Sequence, residues 1–244
     1  MRAMNVNEGE RGVSAEGGEP ARLDDVLERI LAGRHSHRAF RSEQVPPELI
    51  ERMFALAQRT ASWCNSQPWQ VILTSGEATE RFRTVLYEAA STRDGSSDIP
   101  QPQEYRGVYR IRRREAGHGL YESLGIDRKD FEARRRQGME NFRFFGAPHV
   151  AVITSERSLG PYGYVDCGAY VSMLLLAAES LGIAAVAQGA IAMHSDTVRA
   201  HFRIPDDRMI VCGVSFGYAD EEHPANLFRT GREEPTNVVD RRDR

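Results

Sequence analysis

The chain has 244 residues, 41% of them hydrophobic and 27% charged, enough apolar content for a sizeable core, which excludes a chain disordered throughout. Its 32 Lys and Arg against 35 Asp and Glu leave a formal charge of -3, so no bulk positive field draws it onto nucleic acid or anionic lipid. Three widely spaced cysteines, Cys64, Cys167 and Cys212, form no CxxC pair and no metal-site pattern with histidine, and fit reduced thiols in a cytoplasmic protein. Residues 1–20 have neither the apolar run of a secretory signal nor the acidic-poor character of a transit peptide. They read as a flexible polar tail ahead of one domain spanning 21–244.

Leu23, Val26, Leu27, Ile30 and Leu31 recur at helical spacing and predict an amphipathic helix that stops near Gly33. Pro46 and Pro47 open a second helix with Leu49, Ile50, Met53 and Ala57 on one face. After the break at 62–68, Trp69 to Thr74 predicts a strand, and Phe82, Val85, Leu86 and Ala89 share a face of the helix that follows. Residues 91–103 are rich in Ser, Asp, Gly, Pro and Gln, a loop composition that opens an insertion running to residue 145. Within it, Arg106, Arg110, Arg112, Arg113 and Arg114, then Arg128, Lys129, Arg134, Arg135 and Arg136, read either as a solvated helix face or as an anion-attracting rim. His149 to Thr154 predicts a short apolar strand. Asp166 to Leu181 predicts the most apolar helix, ended at Gly182; its glutamate and serines make it a core helix and not a membrane span. Ala184 to Ala192 and Met209 to Gly217 predict the last strands, separated by a short helix capped by Ser195. The class is α+β, helices around a mixed sheet.

The segment RHSHRAF sets Arg34, Ser36 and Arg38 at alternate positions, so an extended backbone sends all three side chains the same way. Two forked guanidiniums and a hydroxyl suit a phosphate. The segment SWCNSQPW supplies Ser62, Asn65 and Gln67 ahead of Pro68 and Trp69. Amides offer donors and acceptors together, as a heteroaromatic ring edge or a ribityl chain requires. Cys64 reads as a small packed residue and Trp63 as core or interface. No G-x-G-x-x-G with a following acidic residue marks a Rossmann nicotinamide domain, and no GxSxG turn surrounds Ser62.

RHSHRAF followed by SWCNSQPW resembles the FMN-dependent nitroreductase family, whose usual texts are RxSxRxF and PSxxNxQPW. GIAAVAQG is similar to the family's region after the central helix, and FGYADEEHPANLFRTGREEPTNVV resembles its closing segment, GYxxxxxPxNxFRxxRxP. The four motifs span residues 34 to 239 in the family's order. Ala61 and Ala187 stand where the family usually has proline, and one extra residue separates Arg232 from Pro235. The resemblance implies a nitroreductase-like α+β fold, a mixed central sheet flanked by helices, with a long central helix at a homodimer interface. It also implies two FMN sites, each built from both subunits. Arg34, His35, Ser36 and Arg38 would meet the phosphate and ribityl end, and Arg229 and Arg232 would close on the phosphate. Ser62, Asn65 and Gln67 would reach the flavin from the other subunit, with Gln188 and Gly189 beside the isoalloxazine ring. The implied activity is reduction of a nitroaromatic compound by NADH or NADPH through ping-pong hydride transfer at flavin N5, with no catalytic side chain, since the cofactor carries the electrons. Reductive dehalogenation, or FMN binding without turnover, are the alternatives. The insertion at 91–145 would cover the substrate face, its arginines suiting an acceptor that carries a carboxylate.

Overall fold

The computed structural model describes residues 22–243, so the expected tail at 1–20 lies outside the described residues. The leucine spacing of the first helix is realised as α1 (Leu23–Gly33), which Arg34 leaves in an extended conformation. α2 (Pro47–Ala57) starts just after Pro46 and buries Ile50, Met53 and Ala57. β1 (Gln70–Ser75) and α3 (Glu77–Thr92) follow. The insertion holds α4 (Gly107–Ser123) and α5 (Phe131–Met139). β2 (His149–Glu156), α6 (Gly160–Ser180), β3 (Ala184–Gln188), α7 (Gly189–Ala192), α8 (Ser195–Phe202) and β4 (Arg208–Gly217) build the remainder. A short α9 (Pro224–Leu227) leads into the C-terminal segment.

The four strands lie in the order β1-β2-β4-β3, and each neighbouring pair is antiparallel. This differs from the mixed sheet expected of alternating helices and strands. β2 and β3 do run the same way with α6 crossing between them, but β4 is inserted between the two and opposes both, so among the described residues no parallel pair of strands is hydrogen-bonded. β2 is central. Its Ala151 and Ile153 pack with α2 and α6 on one face, while Val150 and Val152 pack with α3, α7 and α8 on the other. Burial on both sides explains why HVAVIT is a continuous apolar run without polar alternation.

Three boundaries differ from expectation. α6 begins six residues before Asp166 because Pro161, which resembles loop punctuation, occupies the first turn, where a missing amide costs nothing. The strand expected to reach Ala192 ends at Gln188 and turns into α7. Ser195 is the first residue of α8 and does not cap it; its hydroxyl donates to the Ala192 carbonyl at 2.8 Å and accepts the Asp98 N–H at 3.2 Å.

The start of the insertion is anchored. Asp98, whose side chain is 15% exposed, pairs with Arg199 at 2.6 Å and accepts the Ile210 N–H at 2.9 Å. Removing one partner from a shielded ion pair leaves the other desolvated, so Asp98→Ala is expected to cost about 3 kcal/mol. Urea unfolding, read as a lower midpoint at unchanged slope, checks this.

Candidate functional site

The extended backbone beyond α1 sends Arg34, Ser36 and Arg38 into one cleft of about 530 Å³, together with His35, Phe228, Arg229, Thr230 and Arg232. His37, on the opposite side of the strand-like segment, is 6% exposed. Asn226 joins the two halves of the cleft. Its buried amide oxygen accepts the Arg38 N–H at 2.6 Å, and its nitrogen donates to the Ala39 and Asp220 carbonyls, each at 2.8 Å. Arg229 donates to the Asn226 carbonyl at 2.6 Å. Asn226 belongs to the closing motif, but nothing in the sequence alone marks it as this staple.

The cleft carries four guanidiniums, and among the described residues none of them pairs with a carboxylate. Elsewhere Arg93, Arg112 and Arg199 pair with Asp196, Glu233 and Asp98. Burial lowers the pKa of Arg38. Burial, then the neighbouring His35 ring, Arg229 and Arg34 push the His37 imidazole down to about 4. The two imidazole centroids are 3.8 Å apart. His35 Nδ1 meets the Gly33 carbonyl at 2.8 Å, while its buried Nε2 and His37 Nδ1 have no partner among the described residues. A positive cleft with unpaired donors fits a dianionic phosphate.

Ser62, Asn65 and Gln67 do not line this cleft. They form a separate loop in which Ser62 Oγ accepts the Gln67 N–H at 3.0 Å and the Gln67 amide donates to Asn65 Oδ1 at 3.1 Å. Cys64, Asn65 and Gln67 have φ of 49°, 56° and 46°, each costing about 1 kcal/mol for a residue with a Cβ. Cys64, expected to be packed, is exposed because this backbone turns it outward. Trp63 is 61% exposed and packs tilted against Tyr162, with ring centroids 4.7 Å apart.

Gln188 is buried, and its amide is committed to protein partners. It donates to the Asn141 carbonyl at 2.8 Å and accepts the Ser215 hydroxyl. Its side chain therefore braces the turn between β3 and α7. Gly189 in that turn is exposed, and a Cβ there would meet nothing within 4 Å, so the position is open to close approach by a ligand.

A second cleft of about 850 Å³ lies between α4 and residues 228–238 and shares Phe228, Arg229, Thr230 and Arg232 with the first. α4 crosses the Phe228 ring at Gly119, where a side chain would collide with it. Half of the insertion's basic residues named above find side-chain neighbours. Arg106 pairs with Glu104, Arg136 with Glu132 at 3.2 Å, and Arg113 and Arg134 lie over Tyr105 and Tyr121. Arg112 lines the second cleft but is held by Glu233. An acceptor carboxylate would have to displace that partner.

Among the described residues no helix is long and apolar enough to cross a membrane. A family model described as the nitroreductase family matches residues 31–218. The nitroreductase NfnB of Mycolicibacterium smegmatis is 36% identical over 211 residues, covering 86% of this chain and 90% of the relative. A 4-nitrobenzoate reductase of Nocardioides sp. is 33% identical over 214 residues, covering 86% and 87%. The crystal structure of the FMN-dependent nitroreductase NfnB from Mycobacterium smegmatis in complex with NADPH superposes with a TM-score of 0.87 at 34% identity, covering 91% of this chain and 100% of that one. The motifs, the antiparallel sheet with its long apolar helix, and these likenesses together establish that the chain belongs to the nitroreductase family.

Proposed function

We propose that the protein is an FMN-dependent NAD(P)H oxidoreductase that reduces nitroaromatic compounds. The observation that carries this reading is the arginine cleft, where Arg34, Arg38, Arg229 and Arg232 converge without a carboxylate partner among the described residues. Arg34, Arg229 and Arg232 hold the phosphate of FMN, with Ser36 and His35 beside them, and Arg38 extends toward the ribityl chain. Asn226 keeps the two arginine segments in register. FMN supplies hydride acceptance and donation at N5, alternately from reduced nicotinamide and to the acceptor, so the chain's own groups bind, orient and exclude water. Gly189 leaves room for the ring, and Gln188 fixes the turn that carries it.

The protein acts as a homodimer in the cytoplasm, with Ser62, Asn65 and Gln67 of one subunit completing the site of the other. Support for the dimer is the apolar surface that a single chain leaves open. Leu23, Leu27 and Leu31 on α1 and Tyr162, Val165 and Met173 on the outer face of α6 are exposed, a pattern that a stable monomer rarely presents. The insertion covers the acceptor side of the flavin.

The test is the visible spectrum of purified protein under anaerobic addition of NADPH, then 4-nitrobenzoate. Bleaching of a flavin band and its return is the expected result. Bleaching that only a halophenol reverses would favour reductive dehalogenation, and a flavin band unmoved by either nicotinamide would favour FMN binding without turnover.

A further inference from the structure

The loop between α2 and β1 holds three residues with a Cβ, Cys64, Asn65 and Gln67, at positive φ, a region such residues avoid. An exposed loop relaxes out of such a conformation unless it is held. Side chains from the body of the molecule hold this one. Both carboxylate oxygens of Asp166 accept the Trp63 N–H at 3.1 Å, and Oδ2 also accepts the Ser66 hydroxyl at 3.3 Å. Gln58 donates to Gln67 Oε1 at 2.9 Å, and Arg208 donates to the Pro68 carbonyl at 2.9 Å.

Asp166 is the unusual member. It is 8% exposed, it lies on the packed side of a largely apolar helix, and among the described residues no cation pairs with it. A buried carboxylate is tolerated only where hydrogen bonds replace its water, and among the described residues every side-chain hydrogen bond that Asp166 makes goes to this loop. The loop, in turn, leaves Trp63, Asn65 and Gln67 exposed, with the Gln67 amide held by Gln58 and Asn65 and Trp63 beside Tyr162 of α6.

We propose that Asp166 is a positioning residue that fixes the strained loop 63–67 so that Asn65 and Gln67 are presented, already ordered, to the flavin in the cleft of the partner subunit. The ordering cost is then met during folding and not on binding. The inference rests on the reading of the protein as an FMN-binding dimer.

FMN is removed from wild type, Asp166→Ala and Asp166→Asn, and each is titrated with FMN and, separately, with inorganic phosphate. Asp166→Ala is expected to raise the FMN Kd about tenfold. Asp166→Asn, which keeps one acceptor, is expected to raise it less. Both should leave phosphate affinity at the arginine cleft unchanged and displace the absorbance bands of bound flavin. Unaltered FMN affinity overturns the proposal, and so does an equal loss for both ligands, which marks general damage. Ser66→Ala keeps the carboxylate and removes one contact, so it provides a reading if Asp166→Ala does not fold; an FMN Kd raised about threefold is expected, and no change overturns the proposal. Mixed dimers of Asp166→Ala with Arg34→Ala subunits place intact arginines opposite an intact loop at one of their two sites. Tight FMN binding at half the sites is expected, and its absence overturns action across the interface. Wild-type protein that binds phosphate but no FMN rejects the flavin reading and the inference with it.

Discussion

Arg34→Ala/Arg229→Ala binds FMN about a thousandfold more weakly than wild type and emerges colourless from gel filtration. Each guanidinium in the cleft offers charge-assisted hydrogen bonds to a phosphate, and bonds of this kind contribute about 1.5–3 kcal/mol apiece. Losing two arginines from opposite walls, one from each segment that Asn226 joins, therefore removes about 4 kcal/mol of binding. Folding stability should hold or rise, because guanidiniums without carboxylate partners repel one another in the ligand-free protein. Arg34→Lys/Arg229→Lys separates charge from geometry, since it keeps the former and loses the fork. Flavin fluorescence titration at fixed ionic strength measures all three proteins. A double alanine variant with wild-type affinity would mean that the cleft does not hold the phosphate.

Acidification of the FMN-free protein from pH 7 to pH 4 removes about 3 kcal/mol of stability through His37 alone. In the folded chain this imidazole is held down to about 4 by burial, by His35 and by Arg229 and Arg34, whereas an unfolded histidine titrates near 6.5. Between these values the unfolded state binds the extra proton. The stabilisation is thus fully present above about pH 6.5, lost progressively as pH falls, and absent below about pH 4. His149 acts in the same direction, since burial lowers its pKa and its Nε2 must stay unprotonated to accept the Val45 N–H at 3.0 Å. Urea unfolding at pH 7, 5.5 and 4.5 would show the slope, and His37→Phe should flatten it. A variant with the wild-type slope would place the acid sensitivity elsewhere.

The walls of the cleft differ in how far the sequence reveals them. Arg34, Ser36 and Arg38 are local: two-residue periodicity after a helix stop suffices to put them on one side, and they line one cleft. Arg229 and Arg232 lie almost two hundred residues further on, and only the family motif connects them to the first group. The physical connection is the Asn226 side chain, a tertiary contact with no periodic signature. Asp166 stands out in the sequence only as one of two carboxylates, with Glu179, within an apolar stretch, and its loop partners become visible once α6 lies beside residues 63–66. The antiparallel sheet escaped for a similar reason. Alternating helices and strands describe connections, whereas pairing depends on β4 entering between β2 and β3. The exposure of Cys64 is not legible in the sequence, because composition does not reveal a left-handed backbone.

The insertion is tied to the body at both ends, by Asp98 to Arg199 and the Ile210 amide and by Asn141 to Gln188, and between 101 and 143 it contributes no buried side chain. It is consequently an exchangeable cassette. Outside Gly119, which packs on Phe228, mutations can accumulate along α4 and α5 while the sheet keeps its core and the arginine cleft keeps most of its lining. Selection for a new acceptor can thus proceed on one segment of the chain with little debt to folding, and laboratory evolution of substrate range would begin there.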